Sequence, residues 1–203
     1  MPQFDLLLGT GNIGKILEIK RSLDDLPIIF TVIADFAELQ TPVEDGSSYE
    51  ENAIIKARSY AQQTGMWTLA DDSGLEVAYL NGLPGLRSAR FGGAGLSDID
   101  RTNLLLSKLA AVKTYQRSAS FVSAVAVANP SGEIINVAHG ICRGMIAESP
   151  AGEEGFGYDP VFIPNGHENT FAEMPLSLKR RLSHRGKALE ATREFLRRFF
   201  GTA

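Results

Sequence analysis

The sequence predicts an α/β fold, a long mixed β-sheet flanked by helices. Three observations lead there. The apolar run Phe4 to Leu8 breaks into Gly9-Thr10-Gly11-Asn12-Ile13-Gly14-Lys15 and then into a helical pattern, the form of a strand, a tight turn and a helix start. A second apolar run, Ile28 to Ala34, follows that helix and makes a strand–helix–strand unit. Further on, the β-rich runs Ser118 to Ala128 and Glu133 to Ala138 flank Asn129-Pro130-Ser131-Gly132, the pattern of a long antiparallel hairpin. Strand–helix units together with a hairpin mean a mixed sheet rather than a purely doubly wound one.

The elements follow in order. The first strand is expected over about Phe4 to Gly9. The first helix spans about Ile13 to Asp25, with Ile16, Ile19, Leu23 and Leu26 stepping by three and four along one face. After the second strand, Gly46-Ser47-Ser48 is a break. Ser48 and Glu51 form a capping-box pattern for a helix reaching about Gln63, whose buried side carries Ala53, Ile54, Ala57 and Ala61. Trp67 to Ala70 reads as a short strand and Gly74 to Leu80 as another, before the turn signal Asn81-Gly82. Asp98 is placed to cap a helix ending near Val112. After the hairpin, Val161 to Ile163 forms a short strand. Ser183 caps a final helix to about Phe200, with Leu189, Thr192, Leu196 and Phe199 on one face.

Composition bounds the function. The 203 residues suit one domain, 1–203, and 44% hydrophobic residues supply a core. A net charge of −4 argues against general binding to nucleic acid or to an anionic membrane. A single cysteine, Cys142, forms no internal disulfide and suits a reducing, cytoplasmic setting. No apolar stretch is long enough to span a bilayer, and no export signal is apparent at the N-terminus.

The opening turn points to a phosphorylated ligand. Glycines let a backbone approach closely, the first N–H groups of a helix lack internal partners, and Lys15 adds positive charge. Gly9, Gly11 and Gly14 also match a dinucleotide-binding pattern, with Asp35 at about the right distance for a ribose. The P-loop alternative fails because Ile16 stands where a hydroxyl would hold Mg²⁺.

Four further segments carry polar groups that structure alone does not require. Asp71 and Asp72 end an apolar strand and open into Ser73-Gly74. Adjacent strand residues face opposite ways, so one aspartate faces the site and the other braces the turn. The facing carboxylate suits Mg²⁺ or proton abstraction from water. Asn52 and Lys56, four apart, share a helix face off the alanine stripe, and Glu44 before that helix offers a second carboxylate. In Gly155-Phe156-Gly157-Tyr158-Asp159-Pro160, Phe156 is suited to stack on a base and Asp159 to read its polar edge. Lys179 and Ser183-His184-Arg185-Gly186 place basic groups at a helix start, where acids are the usual choice, which suggests an anionic or electron-rich ligand. Together these describe a nucleoside triphosphate site with a hydrolytic water. A dinucleotide-dependent oxidoreductase and a non-catalytic nucleotide-binding module stay open on the residues alone.

Read as a series, TGNIGK (10–15), YEENAIIKA (49–57), ADDSGLEV (70–77), GLPGLRSARF (82–91), GFGYDPVF (155–162), TFAEM (170–174) and SHRGKAL (183–189) resemble the inosine triphosphate pyrophosphatases, the XTP/dITP diphosphatases. The segments keep the family's order over nearly the whole chain. The resemblance implies Mg²⁺-dependent hydrolysis of non-standard purine triphosphates (ITP, dITP, XTP) to the monophosphate and pyrophosphate. It also implies two lobes around a central substrate cleft, and a homodimer. By matching motif, Asp72 is the proton acceptor and a metal ligand, Glu44 the second metal ligand, and Thr10, Gly11, Asn12, Ile13, Gly14 and Lys15 hold phosphates with Lys56 nearby. Ser73 touches substrate, and Phe156, Gly157, Tyr158, Asp159, Lys179, His184 and Arg185 surround the base and sugar-phosphate end. Selectivity would rest on the purine O6, an acceptor in inosine and xanthine and an amino donor in adenine. The chain departs from the family in having Tyr49 where Phe is common, and Leu178-Lys179-Arg180 where Glu-Lys-Asn is common.

Overall fold

A computed structural model describes residues 3–200. Its strands are β1 (Phe4–Leu8), β2 (Ile28–Val32), β3 (Trp67–Val77), β4 (Ser118–Ala128), β5 (Ile134–Ile146) and β6 (Phe162–Pro164). Its helices are α1 (Ile13–Ser22), α2 (Tyr49–Thr64), α3 (Asp98–Lys108), α4 (Leu176–Leu182) and α5 (His184–Phe200). The strands form one open sheet in the order β2-β1-β3-β4-β5-β6. β1 runs parallel to β2 and β3, and β5 runs antiparallel to β6, so the sheet is mixed as expected.

The chain divides into two compact units. The first comprises 1–72, 123–140 and 185–203, and the second 73–122 and 141–184. Each has its own core. In the first, Leu6 and Leu8 of β1, Leu69 of β3 and Val125 and Val127 of β4 pack with Ile19 of α1, Leu23 just after it, and Ala188, Leu189 and Leu196 of α5. The alternation along each strand follows the pleat, so α1 and α5 cover one face of this part of the sheet. On the other face, a Cβ on Gly9 would lie 3.1 Å from both the Ala70 Cβ and the Tyr60 ring, so glycine is what lets β1 close against α2 and β3. In the second unit, Leu75, Val77, Leu105, Leu109, Phe121, Cys142, Ile146, Phe162 and Phe171 form the core, with Phe121 packed on Phe162 at 4.7 Å between centroids.

Several boundaries differ from expectation. β3 is one strand of 11 residues, so Asp71 and Asp72 lie within it and not in a turn after it. Its place between β1 and β4 holds the backbone extended through Ser73-Gly74 despite their turn preference. β1 stops at Leu8 and β2 at Val32, where a short 3₁₀ turn takes over. α1 ends at Ser22 and not Asp25, because Asp24 and Asp25 oppose the helix dipole at its C-terminus and Pro27 follows. Ser97, not Asp98, caps α3, reciprocating with Asp100, and the helix stops at Lys108.

Asn81-Gly82 does turn the chain, but after a 3₁₀ segment at 78–80 and not as a two-residue hairpin. β5 runs eight residues beyond Ala138, as alternate buried and exposed positions continue through Gly140 and Gly144. A Cβ at Gly144 would lie 2.2 Å from the Ile163 carbonyl, so this glycine admits β6, which spans 162–164. α4 was not expected from the sequence. On α2, Ile54 is only half-buried, while Asn52 and Lys56 are buried with Ala53, Ala57 and Ala61, contrary to their expected place off that stripe.

Candidate functional site

The first unit gathers the charged residues of the opening turn, α2, β3 and the start of α5. The turn itself is exposed, and Asn12 caps α1 by accepting the Lys15 N–H at 3.0 Å. Thr10 Oγ1 accepts the Asn12 N–H at 3.2 Å. This bond and the Asn12 cap shape the segment Thr10 to Lys15, which opens α1 at the surface, and a helix start of this kind suits phosphate.

The two aspartates of β3 do different things because the strand pleat turns them to opposite faces. Asp71 continues the buried row of Leu69 and is fully buried. Its Oδ1 lies 2.7 Å from Lys15 Nζ and its Oδ2 3.1 Å from Arg185 Nε, and the Ser123 hydroxyl donates to Oδ2 at 3.2 Å. Burial alone would raise the Asp71 carboxyl, but Arg185 and Lys15 carry it far below the ordinary carboxylate range. Arg185 Nη1 also reaches Glu18 on α1 at 2.6 Å. These carboxylates answer the basic charge at the start of α5, which the sequence alone assigned to a ligand. Lys15 in turn is pulled below its usual range, chiefly by burial, with Asp71 opposing.

Asp72 faces α2. Its Oδ1 is 3.2 Å from Lys56 Nζ, and Asn52 Nδ2 donates to its Oδ2 at 3.3 Å. Glu44 Oε2 meets the same Lys56 Nζ at 2.9 Å. Asn52 Oδ1 accepts the Gly46 N–H at 2.9 Å, which fixes the loop that carries Glu44. Burial raises the Asp72 carboxyl above its ordinary value, and Lys56 and Lys15 only partly offset it, so it is a better proton acceptor than a solvated aspartate. Burial pulls Lys56 down, and Asp72, Asp71 and Glu44 together outweigh it and raise the ammonium.

The Glu44 and Asp72 carboxylates thus converge on one cation. Among the described residues, no group of three or more histidine, cysteine or acidic side chains is arranged to hold a metal. Two carboxylates nevertheless fit Mg²⁺, which takes one or two from a protein and completes its shell with water and substrate phosphate.

The second unit holds the remaining expected residues. Ser73 lies in β3, half-buried. Asp159 is buried, and its Oδ2 accepts the Phe156 N–H at 2.8 Å and lies 2.6 Å from Lys179 Nζ. That ammonium also stands 5.3 Å from the centroid of the Phe156 ring. A Cβ on Gly155 would come within 2.1 Å of Asp159 Oδ2, so the loop closes on its own carboxylate. Gly157 and Tyr158 continue the loop, and Tyr158 is buried. The His184 ring stacks on Phe121 at 4.5 Å between centroids and 7° between planes.

The sequence reading missed Glu18 and the central part taken by Asp71. Glu18 is three residues from Lys15 on α1, and nothing in the sequence separates it from a solvated surface acid. Asp35, the acid of the dinucleotide reading, instead accepts the Val32 N–H at 3.0 Å and closes its own turn.

The chain as a whole is similar to proteins of one family. The Ham1 family model matches residues 6–195. The dITP/XTP pyrophosphatase of Thermus thermophilus is 46% identical over 189 residues, covering 93% of this chain and 90% of that one. That of Elusimicrobium minutum is 43% identical, covering 91% and 95%. A solved HAM1 protein from Coxiella burnetii superposes with a TM-score of 0.86 at 40% identity, covering 96% of this chain and 99% of that one. No helix of the described residues is long and apolar enough to cross a membrane.

Proposed function

The chain belongs to the Ham1 family, and on that premise we propose that it hydrolyses non-standard purine nucleoside triphosphates (dITP, ITP and XTP) to the monophosphate and pyrophosphate, and so cleanses the nucleotide pool. The observation that carries the reading is the pairing of the phosphate-type turn with two carboxylates that share one cation: Lys15 on Asp71, and Glu44 and Asp72 on Lys56. Residues 1–203 act as one functional domain in this reading, in keeping with a family match that spans both units.

The mechanism assigns a task to each residue. Within the segment Thr10 to Lys15, whose Thr10 and Asn12 N–H groups are spent on the turn itself, the N–H groups of Gly11, Ile13 and Gly14 and the Lys15 ammonium hold the phosphates, and Lys56 adds charge beside Asp72. Asp72 takes the proton of the attacking water. The water oxygen bonds to phosphorus, the α–β anhydride P–O bond breaks, and pyrophosphate leaves with the electron pair. Raised by burial, Asp72 suits this proton transfer. Glu44 and Asp72 would hold Mg²⁺, which when bound polarises phosphoryl oxygens and offsets the charge of the leaving group. Ser73 contacts the substrate. Phe156 offers a ring to the purine, with Gly157, Lys179 and His184 around it. Arg185, Tyr158 and Asp159, all buried and engaged, orient their neighbours. A donor among these groups or the backbone would pair with O6 of inosine and be left facing the amino group of adenine.

The family resemblance supports a cytoplasmic homodimer, and gel filtration tests the assembly. The function itself is tested by pyrophosphate release over a panel of nucleotides with and without Mg²⁺. Rapid release from ITP and XTP and slow release from ATP, only with Mg²⁺, is the expected result. Release of orthophosphate would contradict the bond of cleavage.

A further inference from the structure

The loop 155–159 presents Phe156; Asp159 within it bonds the Phe156 N–H, and groups outside the loop fix the residue that follows. Gly157 stands at φ +62°, in the left-handed region. Both polar groups of its backbone are taken by one helix. Asp98 Oδ2 accepts the Gly157 N–H at 2.8 Å, and the Thr102 hydroxyl donates to the Gly157 carbonyl at 3.3 Å. Asp98 and Thr102 lie four residues apart on α3 and so share a face. The next residue is anchored separately. The buried Tyr158 hydroxyl donates to the Ser88 carbonyl at 3.0 Å, while the Ser88 hydroxyl accepts the Leu75 N–H at 2.8 Å and donates to the Gly85 carbonyl at 2.7 Å.

We propose that Asp98 and Thr102 are positioning residues for base selection, acting by clamping the Gly157 backbone so that Phe156 is held in one place. The proposal rests on the hydrolase reading and extends it to α3, which that reading does not use. The physical reason is the sequence of the loop. Glycines on both sides of Phe156 give the backbone many conformations to lose, and the clamp removes them before substrate arrives. Choosing between purines depends on where donors and acceptors stand to within about 0.5 Å. A loosened loop therefore loses discrimination before it loses chemistry, and base contacts made equally in ground and transition states appear in KM.

The test uses the full chain with Asp98→Ala and Thr102→Val, and with Asp98→Asn and Thr102→Ser as rescue variants. The Asn amide oxygen still accepts and the Ser hydroxyl still donates. The readouts are kcat and KM for ITP and GTP, and inhibition by inorganic tripolyphosphate, which has no base. Each removing variant is expected to raise KM for ITP about three- to tenfold and to narrow the ITP-to-GTP ratio of kcat/KM by a similar factor. Its kcat should stay within about twofold, with tripolyphosphate inhibition unchanged and the rescue variants close to the parent.

The proposal is overturned if KM and the ratio do not move, if Asn and Ser impair as much as Ala and Val, or if tripolyphosphate inhibition weakens in parallel. Thr102→Val nearly preserves volume, so it keeps the test decisive if Asp98→Ala folds poorly. Unmutated protein that releases no pyrophosphate from any nucleotide overturns the hydrolase reading instead, and the two failures are distinct.

Discussion

The Lys15 ammonium lies 2.7 Å from a carboxylate, Asp71, that has no exposed surface. The same carboxylate holds Arg185 at 3.1 Å, and Arg185 holds Glu18 at 2.6 Å. The opening turn is thus tied through one buried aspartate to α5, and back to its own helix α1. A buried carboxylate with two cationic partners is stable because each charge is answered, and removal of the middle one leaves the others exposed to a low dielectric.

Asp71→Asn is accordingly expected to destabilise the protein by about 3–5 kcal/mol, the range for breaking a buried ion pair from one side. Urea denaturation of the variant beside the parent measures it. A midpoint that does not move would mean that Lys15 and Arg185 find other partners at no cost.

Asp72→Asn should keep the fold, since the amide oxygen can still accept from Lys56 while the bond from Asn52 is lost. Pyrophosphate release should fall about 10²- to 10⁴-fold, the usual scale for a lost general base. Steady-state turnover of ITP in saturating Mg²⁺, read beside a circular dichroism melt, separates the two effects. Turnover equal to the parent's would take Asp72 out of the mechanism.

Gly9→Ala tests the close approach of β1. The added methyl would meet the Ala70 Cβ and the Tyr60 ring at 3.1 Å, and a Cβ fixed to a central strand has little room to give. A loss of about 1–3 kcal/mol is expected from overpacking, with a raised KM as the phosphate turn shifts. Full stability and unchanged KM would show that α2 yields freely.

At the start of α3, hydrogen bonds from the Ser97 hydroxyl and then the Ser97 N–H hold the Asp100 carboxyl below its ordinary value. A pKa depressed in the folded state adds stability above the unfolded value, and that stability is lost as pH falls through the folded one. Asp100→Asn should therefore melt below the parent at neutral pH, and the gap should close as the pH drops below about 4. A gap that persists unchanged at pH 2 would assign the effect to shape and not to charge.

The sequence by itself determined the kinds of most elements and the form of the opening turn. Gly9 to Lys15, the capping pair Ser48 and Glu51 and the hairpin around Asn129-Pro130 are local signals, because their physics is contained in a few neighbouring residues. In the structure Ser48 Oγ accepts the Glu51 N–H at 3.1 Å, and Glu51 returns to Ser47 in place of Ser48. The family resemblance supplied the expected substrates and roles that local physics could not.

Only the tertiary structure decided which charges are buried. Asn52 and Lys56 look like a wet helix face because their sequence neighbours say nothing of Asp72 and Glu44, which reach them from another strand and loop. Asp71 and Asp72 look like a turn, and become consecutive strand residues with separate duties once β1 and β4 flank them. Arg185 is answered by Glu18, 167 positions earlier in the chain. Charge pairing depends on distance in space, and a buried ion is tolerated only where the fold brings its partner, so that part of the site could be seen only in three dimensions.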